Sequence, residues 1–417
     1  MIGGGWVERA MPARLGGDFR RLLASSWVAQ IGDGIGLAAG PLLVARQTSD
    51  AGLVALAATV QWLAPLLFAL HAGVLADRLD RRRVTMALDV GRCIVLVLLA
   101  LTILGGVVHV WMVLLALFLL ASAEVVADTS SSALVPMTVE REDLGVANAR
   151  MQVGFLTLNQ LAGPPLGAAL FGLGVAVPVI AQALLVAASV VLLTRVRAGA
   201  HAPEPPRGVR REIVEGLRWV RHHAAVRTLV LTILIFNLTF GAAWSVLVLY
   251  SRDRLGLGAV GFGLITTVQA AGGLLGTLSY GRLTARYSLG TIMRVGLIIE
   301  TLTHLVLAVT TSAWVAMPVF FVFGAHAFIW GTTSITVRQR AVPTGLQGRV
   351  GSVNRVGSYA GLVIGSAGGA VLAQHLGVTA PFWFAFAGSA LFLVLWWGQL
   401  RHLAHDDTAA PSAARSR

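Results

Sequence analysis

The amino-acid sequence predicts an all-α membrane protein, and three observations carry that prediction. The mean hydropathy is +0.77. Only 12 % of the 417 residues are charged, about half the fraction usual in soluble domains. Apolar residues also form uninterrupted runs of the roughly 18 or more residues that a helix needs to cross a bilayer. We therefore expect lipid to surround most of the chain.

Charged residues and Gly/Pro clusters divide these runs into twelve predicted spans, six in each half of the chain. Each span suits a hydrocarbon core of about 30 Å at a rise of about 1.5 Å per residue. The spans of the first half are residues 22–45, 52–76, 84–108, 111–134, 151–173 and 175–195. Those of the second half are residues 228–250, 259–281, 291–311, 314–337, 351–374 and 379–399.

The spans divide the chain into four regions. These are a six-helix bundle, a cytoplasmic linker, a second six-helix bundle and a disordered tail, at residues 1–195, 196–227, 228–400 and 401–417. In the linker, Ile213, Leu217 and Val220 recur on one helical face, which predicts an amphipathic helix. That helix either lies on the inner membrane surface or crosses solvent between the bundles.

The arginines predict the orientation of the chain. All 32 basic residues are arginine, and placing both termini in the cytoplasm puts 28 of them in cytoplasmic segments or at their borders. Three lie outside (Arg46, Arg252 and Arg254), and Arg92 lies within a helix. Basic residues concentrate in cytoplasmic loops, so the net charge of +13 needs no nucleic-acid partner. The Arg-, Ala- and Gly-rich composition is typical of a bacterium, so we expect a bacterial cytoplasmic-membrane protein.

The sequence argues against an enzyme. It contains no lysine, which excludes a Walker A loop and a Schiff-base lysine. It also has no Gly-x-Ser-x-Gly elbow and no His-Glu-x-x-His pair. His71, His304 and His326 lie on different spans without metal-ligand spacing, so we expect neither a metal site nor a cofactor.

The two halves repeat each other. Residues 73–84 (GVLADRLDRRRV) follow the second span, and residues 281–292 (GRLTARYSLGTI) follow the eighth, 208 positions later. Val135-Pro136 is likewise echoed by Val342-Pro343. Two similar six-span halves predict parallel repeats with a ligand site near the membrane midplane between them.

Charged side chains inside predicted spans are functional candidates because they are costly in lipid. Asp33 lies about 11 residues, or ~16 Å, into the first span and so near the midplane. A single carboxylate there can bind a proton, because burial disfavours its charged form. Asp33 therefore couples protons or binds substrate, or it only caps a bend formed by Gly32 and Gly34.

A second group of charges lies nearer the inner face. Glu124 and Asp128, four residues apart, share a face of the fourth span, and Asp89 and Arg92, three apart, share a face of the third. We expect an inner-gate network in which Arg81 or Arg92 pairs with these acids. Glu124 lies deeper than Asp128 and is the second candidate for the proton carrier.

In the second half, Glu300 and His304 share a face of the ninth span, where we expect a structural pair. Spans seven and ten combine aromatic side chains with few polar groups, which suits a hydrophobic ligand. The resulting cavity candidates are Asn237, Trp244, His326 and Trp330.

The loop after the second span carries a family resemblance. Its pattern Gly73-x-Leu75-x-Asp77-Arg78-x-x-Arg81-Arg82-Arg83 resembles the signature loop of the major facilitator superfamily. In that family the loop is a cytoplasmic latch, so the resemblance implies that role for Asp77, Arg78 and Arg81. A pure topology determinant would explain the arginines but not the glycine and the aspartate.

The fifth span adds a second resemblance. Gly163-Pro164-Pro165-Leu-Gly167 resembles the antiporter motif of the exporters in this superfamily, although Ala168 stands where a second glycine is usual. Proline kinks a helix and glycine admits a neighbouring backbone, so a bundle can bend or seal at this place. The motif favours export over import.

Other stretches resemble the branch of macrolide-efflux and enterobactin-export proteins. Among them are Gly32-Asp33-Gly34, residues 123–128 and residues 215–219. The resemblance implies a monomeric, proton-driven exporter of an amphipathic small molecule such as a drug, an antibiotic or a siderophore-like metabolite. The fourth span lacks the arginine of many drug/proton antiporters, so their coupling scheme does not carry over. An uptake symporter and a non-transporting sensor or scaffold are the alternatives.

Overall fold

The structure is a computed structural model that describes residues 13–197, 209–343 and 346–399. For some residues it describes the backbone but not the side chain, namely 13, 70–78, 141, 209–213 and 348. The described residues form helices and no strand, which confirms the all-α prediction. The predicted tail, 401–417, lies outside the described residues.

Contacts within the chain define two compact units. The first comprises Met1–Pro206 and Ser251–Thr267, and the second comprises Arg207–Tyr250 and Val268–Arg417. The predicted bundles resemble these units, but Ser251–Thr267 clusters with the first unit. The exact domain limits proposed from the sequence stay a prediction.

Seven α-helices lie before the central linker. In chain order, α1 to α7 are Gly17–Gln47, Ala51–Arg78, Arg81–Leu104, Val110–Ser132, Leu144–Gly154, Gly163–Leu173 and Val177–Leu193. A π-helical segment, Phe155–Ala162, joins α5 to α6. It directly precedes Pro164 and Pro165, which have no N–H to donate to the preceding turn. The antiporter-like motif thus begins where the regular helical hydrogen-bond pattern is interrupted.

Seven longer helices follow from the linker onward. In chain order, α8 to α14 are Val209–His222, Ala224–Trp244, Ala259–Arg286, Leu289–Val309, Ala313–Ala341, Gln347–Leu376 and Ala380–Trp396. A short helical turn and a π-helical segment, Leu247–Leu249 and Tyr250–Arg254, lie between α9 and α10.

Among the described residues, nine helices are long and apolar enough to cross a membrane. They are α1 to α4 and α9 to α13, and α7 and α14 are shorter apolar helices. The predicted fifth span consists of the end of α5, the π-helical segment and α6. Every predicted span is therefore helical, and the number of twelve crossings stays a prediction.

The internal repeat has a local structural cause. Asp80 begins α3, where its carboxylate accepts a hydrogen bond from the backbone N–H of Arg83 at 3.1 Å. Ser288 begins α11 in the same way and accepts from the N–H of Thr291 at 3.2 Å. The two residues occupy the same position in the repeated segments. Such N-caps typically contribute about 1 kcal/mol to helix stability, so each repeat fixes the start of its third helix.

Each unit has its own apolar core. In the first unit, the beginning of α1 packs with the chain around α4, α5 and α7, and the buried residues include Phe19, Leu22, Leu134, Ala147 and Leu193. In the second unit, α9, α11, α12 and α14 share a core that includes Ile233, Met293, Leu297, Trp330 and Phe392.

The linker helix α8 is packed against the second unit. A Cβ atom placed on Gly216 would lie 2.5 Å from the carbonyl oxygen of Arg349 on α13. Glu215 forms an ion pair with the Arg349 guanidinium at 3.0 Å, and Val220 is buried with Val353. The predicted helix therefore forms and packs on α13. The prediction that Leu217 shares the apolar face of Val220 is wrong as to burial, since Leu217 is 56 % exposed.

We expect Gly216→Ala to weaken this docking, because the added methyl group collides with the α13 backbone. Overpacking of this kind typically costs about 1–3 kcal/mol, so the melting temperature of the purified protein should fall by several degrees. Gly351→Ala on α13 is the matched control, since no atom lies within 4 Å of its added Cβ. Equal melting temperatures for the two variants would contradict the docked arrangement.

Candidate functional site

The first unit contains a buried ion cluster centred on Arg92 of α3. Its Nη1 donates to Oδ1 of Asp89 at 3.1 Å, and its Nη2 donates to Oδ1 of Asp33 on α1. The side chains of Arg92 and Asp33 are each only 3 % exposed. A buried arginine keeps its charge, so these two carboxylates provide its direct counter-charges.

Two further acids on α4 belong to the same electrostatic environment. Glu124 and Asp128 both interact electrostatically with Arg92. Glu124 is partly buried, whereas Asp128 is exposed. Arg92 thus pairs directly with two carboxylates and interacts electrostatically with two more, so the group has a formal charge of −3 when every acid is ionised. Because uncompensated charge is costly in a low-dielectric interior, this arrangement favours the uptake of protons or of a cationic group.

The structure joins residues that the sequence assigned to two separate sites. The prediction of Asp33 as an isolated midplane carboxylate is wrong, since Asp33 shares Arg92 with Asp89. The candidate proton carriers, Asp33 and Glu124, therefore belong to one cluster with the predicted gate residues. Protonation of any one acid changes the charge that the others feel.

Glycines bring α6 against the helix that carries Asp33. A Cβ on Gly34 would lie 2.8 Å from the Cα of Gly163 and 2.9 Å from the Cα of Asn159. A Cβ on Gly167 would meet the carbonyl oxygen of Ile35. Gly163, Pro164 and Gly167 are all buried, so the antiporter-like motif packs directly beside Asp33.

Ala168 stands where the motif usually has a second glycine, and a glycine on a neighbouring helix leaves room for its methyl group. Ala168 is fully buried and faces Gly263 of α10, where an added Cβ would lie 2.6 Å from the Ala168 Cβ. A glycine on the neighbouring helix thus provides the space that a glycine at 168 would otherwise give. The close approach of the two helices is kept.

The described part of the signature loop ties α3 to two other helices. Arg81 donates to the carbonyl oxygen of Ala133, after α4, at 3.0 Å. Arg82 donates to the carbonyl oxygen of Leu193, at the end of α7, at 3.0 Å. Of the two arginines expected to pair with the acids, Arg92 pairs with Asp33 and Asp89. The side chains of Asp77 and Arg78 lie outside the described residues, so their latch role stays a prediction.

The second unit contains a carboxylate between two imidazoles. Glu300 accepts a hydrogen bond at Oε1 from His304 Nε2 at 3.1 Å and at Oε2 from His326 Nε2 at 3.2 Å. The expected structural pair on α11 therefore has a third member on α12. Within the described residues, no group of three His, Cys, Asp or Glu is arranged to hold a metal ion.

Aromatic rings surround this triad. Trp244 packs on Phe323 with ring centroids 4.4 Å apart, and Trp330 stacks on Phe236 at 5.1 Å. The phenylalanines were missed at the sequence level. Their spacing of three or four residues along α9 and α12 was the available signal: Phe236, Phe240, Phe320 and Phe323.

The four cavity candidates differ in their surroundings. Asn237 donates to the Ile233 carbonyl oxygen within α9 at 2.8 Å. Trp330 is 7 % exposed and belongs to the apolar core, and His326 is 4 % exposed. Trp244 is partly exposed.

Comparison with known proteins places the chain among transporters. Residues 12–415 match the major facilitator family described as transmembrane secretion effector. The multidrug efflux pump Tap of Mycolicibacterium fortuitum is 31 % identical over 394 residues, covering 88 % of this chain and 91 % of that protein. Tap of Mycobacterium tuberculosis H37Rv is 29 % identical over 374 residues, covering 87 % and 88 %.

Solved structures agree on the fold. An inward-facing bacterial homologue of the iron transporter ferroportin superposes with a TM-score of 0.76 at 17 % identity, covering 92 % of this chain and 98 % of that one. The nucleoside transporter NupG gives 0.71 at 12 % identity, covering 93 % and 99 %. At such identities the likeness concerns the fold alone, and it supports the predicted major facilitator architecture.

We expect Gly34→Ala to destabilise the first unit, because its methyl group collides with the backbone at Gly163 and Asn159. The melting temperature in detergent should fall, with a typical overpacking cost of about 1–3 kcal/mol. The control is Gly91→Ala on α3, which lies between Asp89 and Arg92 in sequence and has no atom within 4 Å of the added Cβ. If both variants melt alike, the helices do not approach as closely as described.

A mutant cycle tests the Asp33–Arg92 ion pair. We expect Arg92→Gln alone to be strongly destabilising, by about 3–5 kcal/mol, because it leaves buried carboxylates without their counter-charge. Arg92→Gln combined with Asp33→Asn should recover part of that loss, which thermal unfolding can measure. Strictly additive effects of the two substitutions would mean that these side chains do not interact.

Proposed function

Because the chain belongs to the transmembrane secretion effector family of the major facilitator superfamily, we propose that it is a proton-driven exporter of amphipathic small molecules. The family and the Tap relatives establish a multi-pass membrane transporter. Tap is named as a multidrug efflux pump, which supports export as the direction here. Family membership alone does not establish the proton as the driving ion or an amphipathic molecule as the substrate, so both are our proposal.

The observation that carries the proposal is the Arg92 cluster. Two carboxylates paired with Arg92, and two more that interact with it electrostatically, form a site whose charge depends on how many protons it holds. Since Asp33, Arg92 and Glu124 lie on three different helices, a proton that neutralises one acid changes the force holding those helices together. A ligand shifts a conformational equilibrium when it binds the two states differently, and here the proton is that ligand.

Asp33 is the first candidate for the proton carrier because the exporter-like motif packs against its helix. Gly34 follows Asp33 directly and contacts Gly163 of the motif. A change in the Asp33–Arg92 pair therefore acts on the place where the fifth predicted span can bend. Glu124 is the second candidate, since it interacts with the same arginine.

In the proposed cycle, the acid cluster takes a proton from the outer side and releases it to the cytoplasm. Substrate moves outward in the opposite conformational step, as in alternating access between two repeats. The aromatic side chains of the second unit, such as Trp244 and Phe323, suit an apolar substrate body. We propose that the protein acts as a monomer with cytoplasmic termini and needs no cofactor beyond the proton gradient.

Inverted membrane vesicles test this function. With ethidium, a fluorescent amphipathic cation, as the probe, the wild-type protein should accumulate ethidium and release protons from acidified vesicles. Asp33→Asn should lose the ethidium-dependent proton release, because an amide cannot exchange a proton. Asp253→Asn is the matched control, since Asp253 is about half exposed in an ion pair with Arg252 and lies between predicted spans.

The outcomes separate the alternatives. Proton release that persists in Asp33→Asn moves the coupling site to Glu124. Co-movement of ethidium and protons in one direction identifies a symporter. Absence of transport for ethidium and for a wider panel of drugs favours the non-transporting sensor or scaffold.

A further inference from the structure

Glu300 lies in the interior of the second unit and is not a member of the Arg92 cluster. Its side chain and that of His304 are 0 % exposed, and that of His326 is 2 % exposed. Both oxygens of the carboxylate are occupied, one by each imidazole. A carboxylate is rarely buried without a charged partner, so the state of the two histidines decides its electrical balance.

Within the part of the chain that the structure describes, Glu300 forms ion pairs with His304 and His326 and with no other side chain. The helices packed against α11 include α9, α12 and α14, and α14 contains no charged residue. The remaining charged side chains of α9 to α12 are arginines near helix ends: Arg227, Arg282, Arg286, Arg294, Arg338 and Arg340. Arg294, the nearest of these in sequence, lies over the ring of Trp397, 5.8 Å from its centroid. Compensation must therefore come from within the triad.

With both imidazoles neutral, the triad has a net charge of −1, and one added proton makes it neutral. The geometry leaves a position for that proton. Nδ1 of His304 is buried and has no hydrogen-bond partner, whereas Nε2 is the atom bonded to Glu300. A proton on Nδ1 therefore breaks neither hydrogen bond to the carboxylate.

An aromatic ring lies beside His304. The rings of Trp244 and His304 are nearly perpendicular, at 85°, with centroids 5.8 Å apart. A cation over the face of an indole ring, within about 6 Å of its centroid, is stabilised by the ring quadrupole. His326 has similar edge contacts with Phe236 at 5.8 Å and with Phe323 at 6.0 Å. The surroundings can thus hold an imidazolium although they offer no second carboxylate.

We propose that Glu300, His304 and His326 form a second proton-binding site, located in the second unit. Its ligand is one proton, held as an imidazolium paired with Glu300. Because His304 touches Trp244 and His326 touches Phe323, occupancy of the site alters the aromatic surface next to it. This inference goes beyond the proposed function, since it requires neither export nor a proton on Asp33.

Nuclear magnetic resonance of the full-length protein in lipid nanodiscs tests the site without any substrate. The chain has ten histidines, and labelling them with nitrogen-15 reports the protonation of each ring. The buried rings are recognised in the wild-type protein by N–H signals that survive transfer to heavy water. His304→Gln and His326→Gln then assign the two signals.

Between about pH 8 and about pH 5, the range in which an unperturbed histidine changes its charge, we expect one buried ring to change from singly to doubly protonated. Glu300→Gln should abolish the doubly protonated form over this range, because a neutral amide gives the charge no partner. The exposed His109 is the internal control, and its ring signals should be the same in both proteins.

Two results would overturn the proposal. One is a wild-type protein in which both buried rings stay singly protonated throughout, which would make the triad a fixed structural clamp. This measurement needs no variant, so it stands even if the substitutions prevent folding. The other is an unchanged doubly protonated ring in Glu300→Gln, which would place the proton outside the triad.

Discussion

The first unit is organised by the need to pair one buried arginine. A guanidinium does not lose its proton in proteins, and an unpaired charge in the bilayer interior is costly. Arg92 therefore pairs with Asp33 on α1 and Asp89 on α3, and Glu124 on α4 interacts with it electrostatically. The ion pairs of this cluster join α1 to α3, and its excess of carboxylates is the feature on which the proposed proton coupling rests.

The Arg92 cluster lies next to a close contact between two helices, and such contacts hold helices together in lipid. Lipid tails are as apolar as leucine, so helices associate through close van der Waals contact and polar bonds, not through the hydrophobic effect. At Gly34 and Gly163 the backbones of α1 and α6 approach too closely for a Cβ atom. The ion pair of Asp33 and this contact are adjacent on α1, so neither can change without affecting the other.

The two units have the same kind of N-cap at corresponding helices but differ in their buried charges. Asp80 and Ser288 cap the corresponding helices α3 and α11, so the internal repeat is a repeat of helix starts. The interior charges have opposite arrangements. The first unit surrounds a cation with acids, whereas the second surrounds Glu300 with two imidazoles and aromatic rings. The proposed proton sites of the two units therefore differ in their chemistry.

The sequence alone determined what depends on near neighbours in the chain. Hydropathy located the helices, and helical periodicity brought Asp89 to Arg92 and Glu300 to His304, because residues three or four apart share a face. Only the tertiary structure decided that Asp33 reaches Arg92, 59 positions away, and that His326 completes the triad from 26 positions away. Such contacts depend on the rotation and separation of packed helices, which periodicity within one helix does not specify.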